Sequence, residues 1–422
     1  MITRIQALNF RCLRYIDQRL SPFQVLVGPN ASGKTTFLDT VSFLGAIVSK
    51  GLDEAIRERT ANFQDLVWGR NGTRIELAIE ASLPDRLRAE LKGAQYKDRI
   101  RYEVGLVWSE QDSLVEFSHE RVLLLSGLGH EDEAACLDLF PRAAVPAETI
   151  FLPNSGKFRT IVKKVRGGND NFYSAVKPHS GEGGWAPSFR LGPRRSALGN
   201  LPAGESRLAP ASWLREFLTE GVQSFMLNSA LLRRASPPGQ GRGFRTDGGN
   251  LPWVIESLLN GSPDRYALWI RHLRTALGDL AEVRVVERAD DRHKYLMLRY
   301  DSGIEVPSWM ASDGTLRLLA LTLPAYMLDF SGVFLIEEPE NGVHPRAVET
   351  LCQSLRSTYH AQVLMATHSP VILSQVEPKD VLCFAKTPDG QTDTVRGDQH
   401  PALREWRRGI DLGMLLAGGV LG

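Results

Sequence analysis

Nine residues near the N-terminus constrain this chain more than any other stretch: Gly28-Pro29-Asn30-Ala31-Ser32-Gly33-Lys34-Thr35-Thr36. They fit G-x-x-x-x-G-K-[ST], a loop whose backbone N–H groups cradle phosphates. The flanks agree with that reading. Residues 23–27 are a short apolar run that reads as a buried strand, and residues 36–44 carry apolar side chains at helical spacing. Strand, glycine loop and helix together aim N–H groups and a helix N-terminus at an anion. Gly28 and Gly33 permit the tight curl. Asn30, Ala31, Ser32, Gly33, Lys34, Thr35 and Thr36 are therefore the cofactor-binding candidates. In such a loop the lysine reaches the β- and γ-phosphates and the Thr35 hydroxyl sits on Mg²⁺, so ATP and Mg²⁺ are the expected cofactors.

A second group of motifs lies beyond residue 310. Ser312-Asp313-Gly314-Thr315 precedes an apolar helix and reads as its polar cap. A small-residue turn at a helix N-terminus is also an anion-binding surface. It cannot serve the same nucleotide in the same subunit, because the first loop covers that side; a second subunit could offer it. Residues 333–336 form an all-apolar run into Glu337-Glu338-Pro339-Glu340, and residues 362–367 read as another apolar strand, ending on His368-Ser369-Pro370. Two buried strands separated by a helix that opens at Pro345 argue a parallel α/β sheet. Adjacent carboxylates at the end of a buried strand are costly unless a cation neutralises them. Glu337 is the metal candidate and Glu338 the general base that polarises water. His368, at the same sheet edge, can hydrogen-bond a γ-phosphate or the lytic water.

Between these ends the sequence says less. Residues 2–8 alternate and predict a first strand at a sheet edge; residues 74–81 and 99–108 alternate too and predict half-exposed strands of an antiparallel side sheet. Residues 115–125 extend it. Residues 166–209 are rich in Gly, Pro and Ser and read as loop, with basic residues Lys163, Lys164, Arg166, Arg190, Arg194 and Arg195 in and beside it. Residues 213–232 and 252–277 read as helices, with a linker at 236–243, and residues 282–287 and 294–300 as a strand pair. A net charge of +1 gives no global drive towards nucleic acid, so any basic surface is local. Cys12, Cys136, Cys352 and Cys383 are scattered and read as reduced thiols. With neither a signal peptide nor an uncharged run of membrane-spanning length, the expected location is cytoplasmic, without membrane contact.

The motifs and their order, from Asn9-Phe10-Arg11 through the phosphate loop, Ser312-Asp313-Gly314-Thr315, residues 333–340 and Ala366-Thr367-His368-Ser369-Pro370, resemble the RecF/SMC/OLD branch of ABC-type ATPases. The chain is most similar to small stand-alone bacterial members related to the OLD nucleases, whose carboxylate strand resembles residues 337–345. The resemblance implies a P-loop NTPase of ABC/SMC head type with an antiparallel side sheet and an inserted, mostly helical region. Its lobes are expected at residues 1–110 and 301–422, with the insertion at 111–300. By the same resemblance Glu338 and His368 are catalytic, Ser312 and Gly314 read a γ-phosphate in trans, and Arg11 touches the nucleotide. Gln64 falls near the Q-loop and joins Thr35 and Glu337 as a metal candidate. Residues 341–344 fall in the D-loop, beside the partner site.

The mechanism implied is an ATP-dependent homodimer, or a higher oligomer, that closes on two ATP molecules and opens on hydrolysis. No Asp-x-Asp pair of a Toprim nuclease domain follows His368, so the expected function is an ATPase acting on DNA or on a separately encoded effector, a nuclease or toxin, as in bacterial anti-phage modules. The glycine-rich tail from Trp406 is expected to pack or dock. A recombination ATPase acting on DNA ends, a transporter nucleotide-binding subunit and a protein that binds ATP without turnover are the competing expectations.

Overall fold

The computed structural model describes the chain apart from residues 92–95, 110–113, 128–138, 144, 176–187, 203–205, 242, 328–329, 404–411 and 419–422. The apolar runs assemble into one six-stranded sheet in the order Val222–Phe225, Val333–Glu337, Gln362–Ala366, Phe23–Val27, Val381–Lys386, Thr392–Arg396. The first five strands are parallel and the last is antiparallel. Continuous apolar runs are what a sheet covered on both faces requires. Alternate residues feed two separate cores. Leu26, Leu335, Leu364 and Leu382 pack towards the helix Lys34–Lys50 and the side sheet. Val25, Val27, Phe334, Ile336, Val363 and Met365 pack the other way, among the helices Leu251–Gly261, Pro263–Leu273, Asp313–Thr322 and Pro345–Arg356.

The side sheet has eight antiparallel strands, in the order Leu13–Arg19, Ile2–Phe10, Arg74–Ser82, Arg99–Ser109, Leu114–Leu125, Phe158–Lys163, Asp170–Phe172, Ser188–Phe189. Two expectations need correction. Ile2–Phe10 is not an edge strand, because the chain doubles back and Leu13–Arg19 pairs outside it. Asn9 and Arg11 hold positive φ angles of 59° and 50° to make that reversal. Nor are Arg74–Ser82 and Arg99–Ser109 half-exposed. Their polar face, Glu76, Glu80, Arg101 and Glu103, is buried beneath residues 148–154. Glu76 accepts from the Ile150 N–H at 2.9 Å and Glu103 from the Leu152 N–H at 2.9 Å, while Arg101 donates to the Ile150 carbonyl at 2.7 Å. Alternation thus marks a face covered by paired charges here, rather than a solvated one.

Residues 213–232 are not one helix. The helix Ala209–Thr219 stops, Val222–Phe225 becomes the outer strand of the main sheet, and a short helix Ser229–Arg233 follows. Two glycines make this contact possible: a Cβ on Gly332 would stand 2.0 Å from the Gly221 carbonyl oxygen. A four-residue strand is too short for periodicity to betray it. Leu280–Glu287 and Lys294–Tyr300 pair as expected, with Glu305–Pro307 as a third strand. Among the tail residues described, the helix Leu412–Ala417 packs on Pro370–Ser374, with Leu412 buried; residues 406–411 lie outside the described set. No helix among the described residues is long and apolar enough to cross a membrane.

Candidate active site

Parallel strands deliver their C-terminal ends to one edge of a sheet, and ligands of open α/β folds bind there. That edge carries the phosphate loop after Val27, the carboxylate pair after Ile336 and His368 after Ala366. The three strands are neighbours, so residues more than 300 positions apart meet. The Thr35 hydroxyl donates to Glu337 Oε2 at 2.5 Å. A cavity of about 360 Å³ is lined by Arg11, Asn30 to Thr36, Glu337, Glu338 and His368, with Cys12, Ala366 and Lys386 completing it.

The loop curls as its glycines allow. Gly28 has φ 145°, Ala31 60° and Gly33 110°. A Cβ on Gly28 would meet the Phe384 carbonyl oxygen at 2.1 Å, and one on Gly33 would meet Thr392 Oγ1 at 2.5 Å. The loop is thereby wedged against the strands that follow it in the sheet. Thr392 also donates its hydroxyl to the Ser32 carbonyl at 2.8 Å. Lys34 is buried, and its ammonium donates to the carbonyls of Gly28 and Pro29, both at 2.9 Å. Burial lowers its pKa against the opposing pull of Glu338 and Glu337. Thr36 receives the Cys12 thiol at 3.4 Å.

Glu338 sits at φ 46°, in the left-handed region, a conformation costing roughly 1 kcal/mol for such a residue and concentrated at functional sites. Its backbone N–H donates to the Ala366 carbonyl at 2.8 Å, and its carboxylate receives the Asn341 amide. His368 is half-buried; burial and then the Lys34 charge lower its pKa, against Glu338 and Glu340. Both effects favour the neutral ring.

Arg11 lines the phosphate cavity and a larger neighbouring one of about 900 Å³, and its guanidinium pairs with Asp39 at 3.2 Å. Arg59 holds the other side of Asp39 at 2.6 Å.

Three candidates stand apart from this cluster. Gln64 lines neither cavity. With its amide turned to satisfy its neighbours, it donates to the carbonyls of Gly72 at 2.9 Å and Arg70 at 3.3 Å. Its amide is thus engaged with its own loop, away from the phosphate cavity. Ser312 and Gly314 also lie off the phosphate cavity. Ser312 caps its helix, accepting from the Thr315 N–H at 3.1 Å. Gly314 lies under the turn after the carboxylate strand: a Cβ there would stand 2.3 Å from the Gly342 carbonyl oxygen.

Sequence reasoning missed Lys386, Cys12 and the Asp39–Arg59 pair. Lys386 had a signal: an apolar run, Val381 to Ala385, ending on a charge as the carboxylate strand does. Of the basic residues around 163–195, Lys164 is paired with Asp170 at 2.9 Å, and Arg194 pairs with Asp53.

Comparisons with known proteins agree with this geometry. A family described as an AAA domain, putative AbiEii toxin of a type IV toxin–antitoxin system, matches residues 23–135 and 197–374, more than half of the chain. An OLD nuclease of Thermus scotoductus is 48% identical over 44 residues, a stretch that spans 10% of this chain and 8% of that protein. Two solved structures share the fold. One is an SMC head bound to the C-terminal winged-helix domain of ScpA, with TM-score 0.54 and 12% identity over 93% of this chain and 97% of that one. The other is an SMC head with an extended coiled coil bound to the C-terminal domain of ScpA, derived from Pyrococcus furiosus, with TM-score 0.50 and 12% identity over 93% and 95%.

Proposed function

The chain belongs to this AAA-domain family and has the P-loop ATPase fold of an SMC head, and from that premise we propose that it hydrolyses ATP to drive a change of assembly. The observation that carries the reading is the 2.5 Å contact between Thr35 and Glu337, which joins the phosphate loop to the carboxylate strand. A hydroxyl and a carboxylate side by side are the hard oxygen donors that Mg²⁺ prefers. Thr35 and Glu337 would hold that ion, which supplies charge neutralisation for the phosphates.

The protein groups then divide the work. Lys34 exchanges its two loop carbonyls for phosphate oxygens when the nucleotide enters. Glu338, oriented by the Asn341 amide, takes a proton from the attacking water. His368 adds a hydrogen bond to the γ-phosphate or to the lytic water. Arg11 approaches the phosphates from the side of Asp39. Ser312 and Gly314 belong to the next protomer's nucleotide, so the closed dimer contains two composite sites.

We further propose that the switch acts on a separate nuclease or toxin effector, or on nucleic acid, in bacterial defence within the cytoplasm. The family's description as a putative toxin and the short OLD nuclease stretch support that direction. The test is steady-state turnover, with and without duplex DNA, beside Glu338→Gln. The variant is expected to bind ATP, to lose about 10²–10⁴-fold in kcat and to elute as a dimer with ATP. Turnover at the wild-type rate would defeat the assignment of the base.

A further inference from the structure

Glu340 stands two residues beyond the catalytic candidate but lines neither cavity. Its Oε1 accepts twice: from the Thr367 hydroxyl at 2.6 Å and from the His368 backbone N–H at 3.0 Å. Thr367 in turn accepts the Ser369 N–H at 2.9 Å. One carboxylate oxygen thus gathers the whole strand end on which the His368 ring is mounted. The other oxygen, Oε2, is buried and has no partner among the described residues. Oε1 therefore carries all of the side chain's hydrogen bonds among the described residues.

On its other side Glu340 is tied to the turn that follows it. Its carbonyl accepts the Val343 N–H at 3.0 Å. Between them lies Gly342, whose carbonyl oxygen is packed so tightly on Gly314 that no Cβ fits. Through that contact, the Glu340–Val343 bond and the two Oε1 bonds, the start of the serine-capped helix is linked by touching groups to the backbone of His368.

Building on the ATPase reading above, we infer that Glu340 is a positioning residue that ties the orientation of His368 to the turn packed on Gly314. It touches no substrate and acts through two hydrogen bonds that an amide oxygen can also accept. Glu340→Gln keeps both; Glu340→Ala removes both.

The test is ATP turnover by the full chain. Glu340→Ala is expected to lose about tenfold or more in kcat with KM for ATP within about threefold, whereas Glu340→Gln stays within about threefold of wild type in both. A purely structural role would not split the two constants. Wild-type kcat in Glu340→Ala, or a Glu340→Gln variant no better than Glu340→Ala, overturns the inference. If Glu340→Ala does not fold, Thr367→Val removes one of the two donors and is expected to lose about threefold in kcat; no loss overturns the inference. Wild-type protein without turnover sinks the ATPase reading instead. The imidazole NMR signals of His368, assigned with His368→Gln, then decide. They are expected to move in Glu340→Ala and to stay in Glu340→Gln; signals that stay in both overturn the inference.

Discussion

Replacing Glu103 by glutamine tests the part of the fold that the sequence misread. Glu103 is fully buried and accepts from Arg101 Nε at 2.7 Å, Arg121 Nη2 at 2.8 Å and the Leu152 N–H at 2.9 Å, with His119 at 3.3 Å. Burial alone would raise its pKa. The hydrogen bond from His119, the Arg101 charge and the Leu152 N–H outweigh it and bring the pKa from 4.5 to about 2. A carboxylate held below its unfolded value stabilises the fold fully above the unfolded pKa, and the contribution is lost as pH falls through the folded one. The gap corresponds to about 3 kcal/mol near pH 6, of which roughly 1 kcal/mol is gone by pH 3.5. Glu103→Gln removes this contribution at every pH and leaves buried Arg101 facing Glu80 alone, at 3.0 Å. The expected loss is about 3–5 kcal/mol at neutral pH. Urea denaturation of both proteins from pH 7 to pH 3.5 reads the difference. It should narrow by roughly 1 kcal/mol towards the acid end. A difference independent of pH would refute the argument that charge pairing, rather than shape, holds residues 148–154 on the sheet.

Two further outcomes follow from the site. Gly28→Ala places a Cβ 2.1 Å from the Phe384 carbonyl at φ 145°, so a loss of about 2 kcal/mol or more in stability and weakened nucleotide binding are expected together in melting and titration experiments. Gln64→Ala should leave the Mg²⁺ dependence of turnover within about twofold, because the side chain is spent on Gly72 and Arg70; a tenfold-weaker dependence would return Gln64 to the metal.

What could be read from residues alone follows from how strongly each element is punctuated. The phosphate loop, the carboxylate strand and the histidine strand each combine an apolar run with a chemical signature, and all three meet at one sheet edge. Val222–Phe225 has neither: four residues of mixed polarity are shaped by the close approach of Gly221 and Gly332, which is a tertiary event. The strand Leu13–Arg19 hides for a related reason, because its entry depends on positive φ at Asn9 and Arg11, residues that do not announce such a conformation. The alternating strands Arg74–Ser82 and Arg99–Ser109 were legible as strands. Their burial was not, since alternation is the same whether the polar face meets water or a covering segment rich in hydrogen-bonding groups. Gln64 shows another limit: its residue type does not announce the contacts its amide makes with the Gly72 and Arg70 carbonyls of its own loop.

The separation of Ser312 and Gly314 from the phosphate cavity has a consequence that can be measured without a structure of the assembly. If each nucleotide is completed by the neighbour, a protomer carrying Lys34→Ala lacks a loop but still offers a serine turn, and one carrying Ser312→Ala lacks the turn but keeps the loop. Each variant alone should be nearly inactive. Ser312→Ala also removes a helix cap, which costs about 1 kcal/mol, so its fold must first be checked by its melting temperature. Mixed in equal amounts and allowed to exchange, half of the dimers are heterodimers, and each of these has one intact composite site out of two. Turnover should therefore rise to about a quarter of the wild-type rate per protomer. If the serine turn served its own loop, no protomer in the mixture would hold both groups, and mixing would restore nothing.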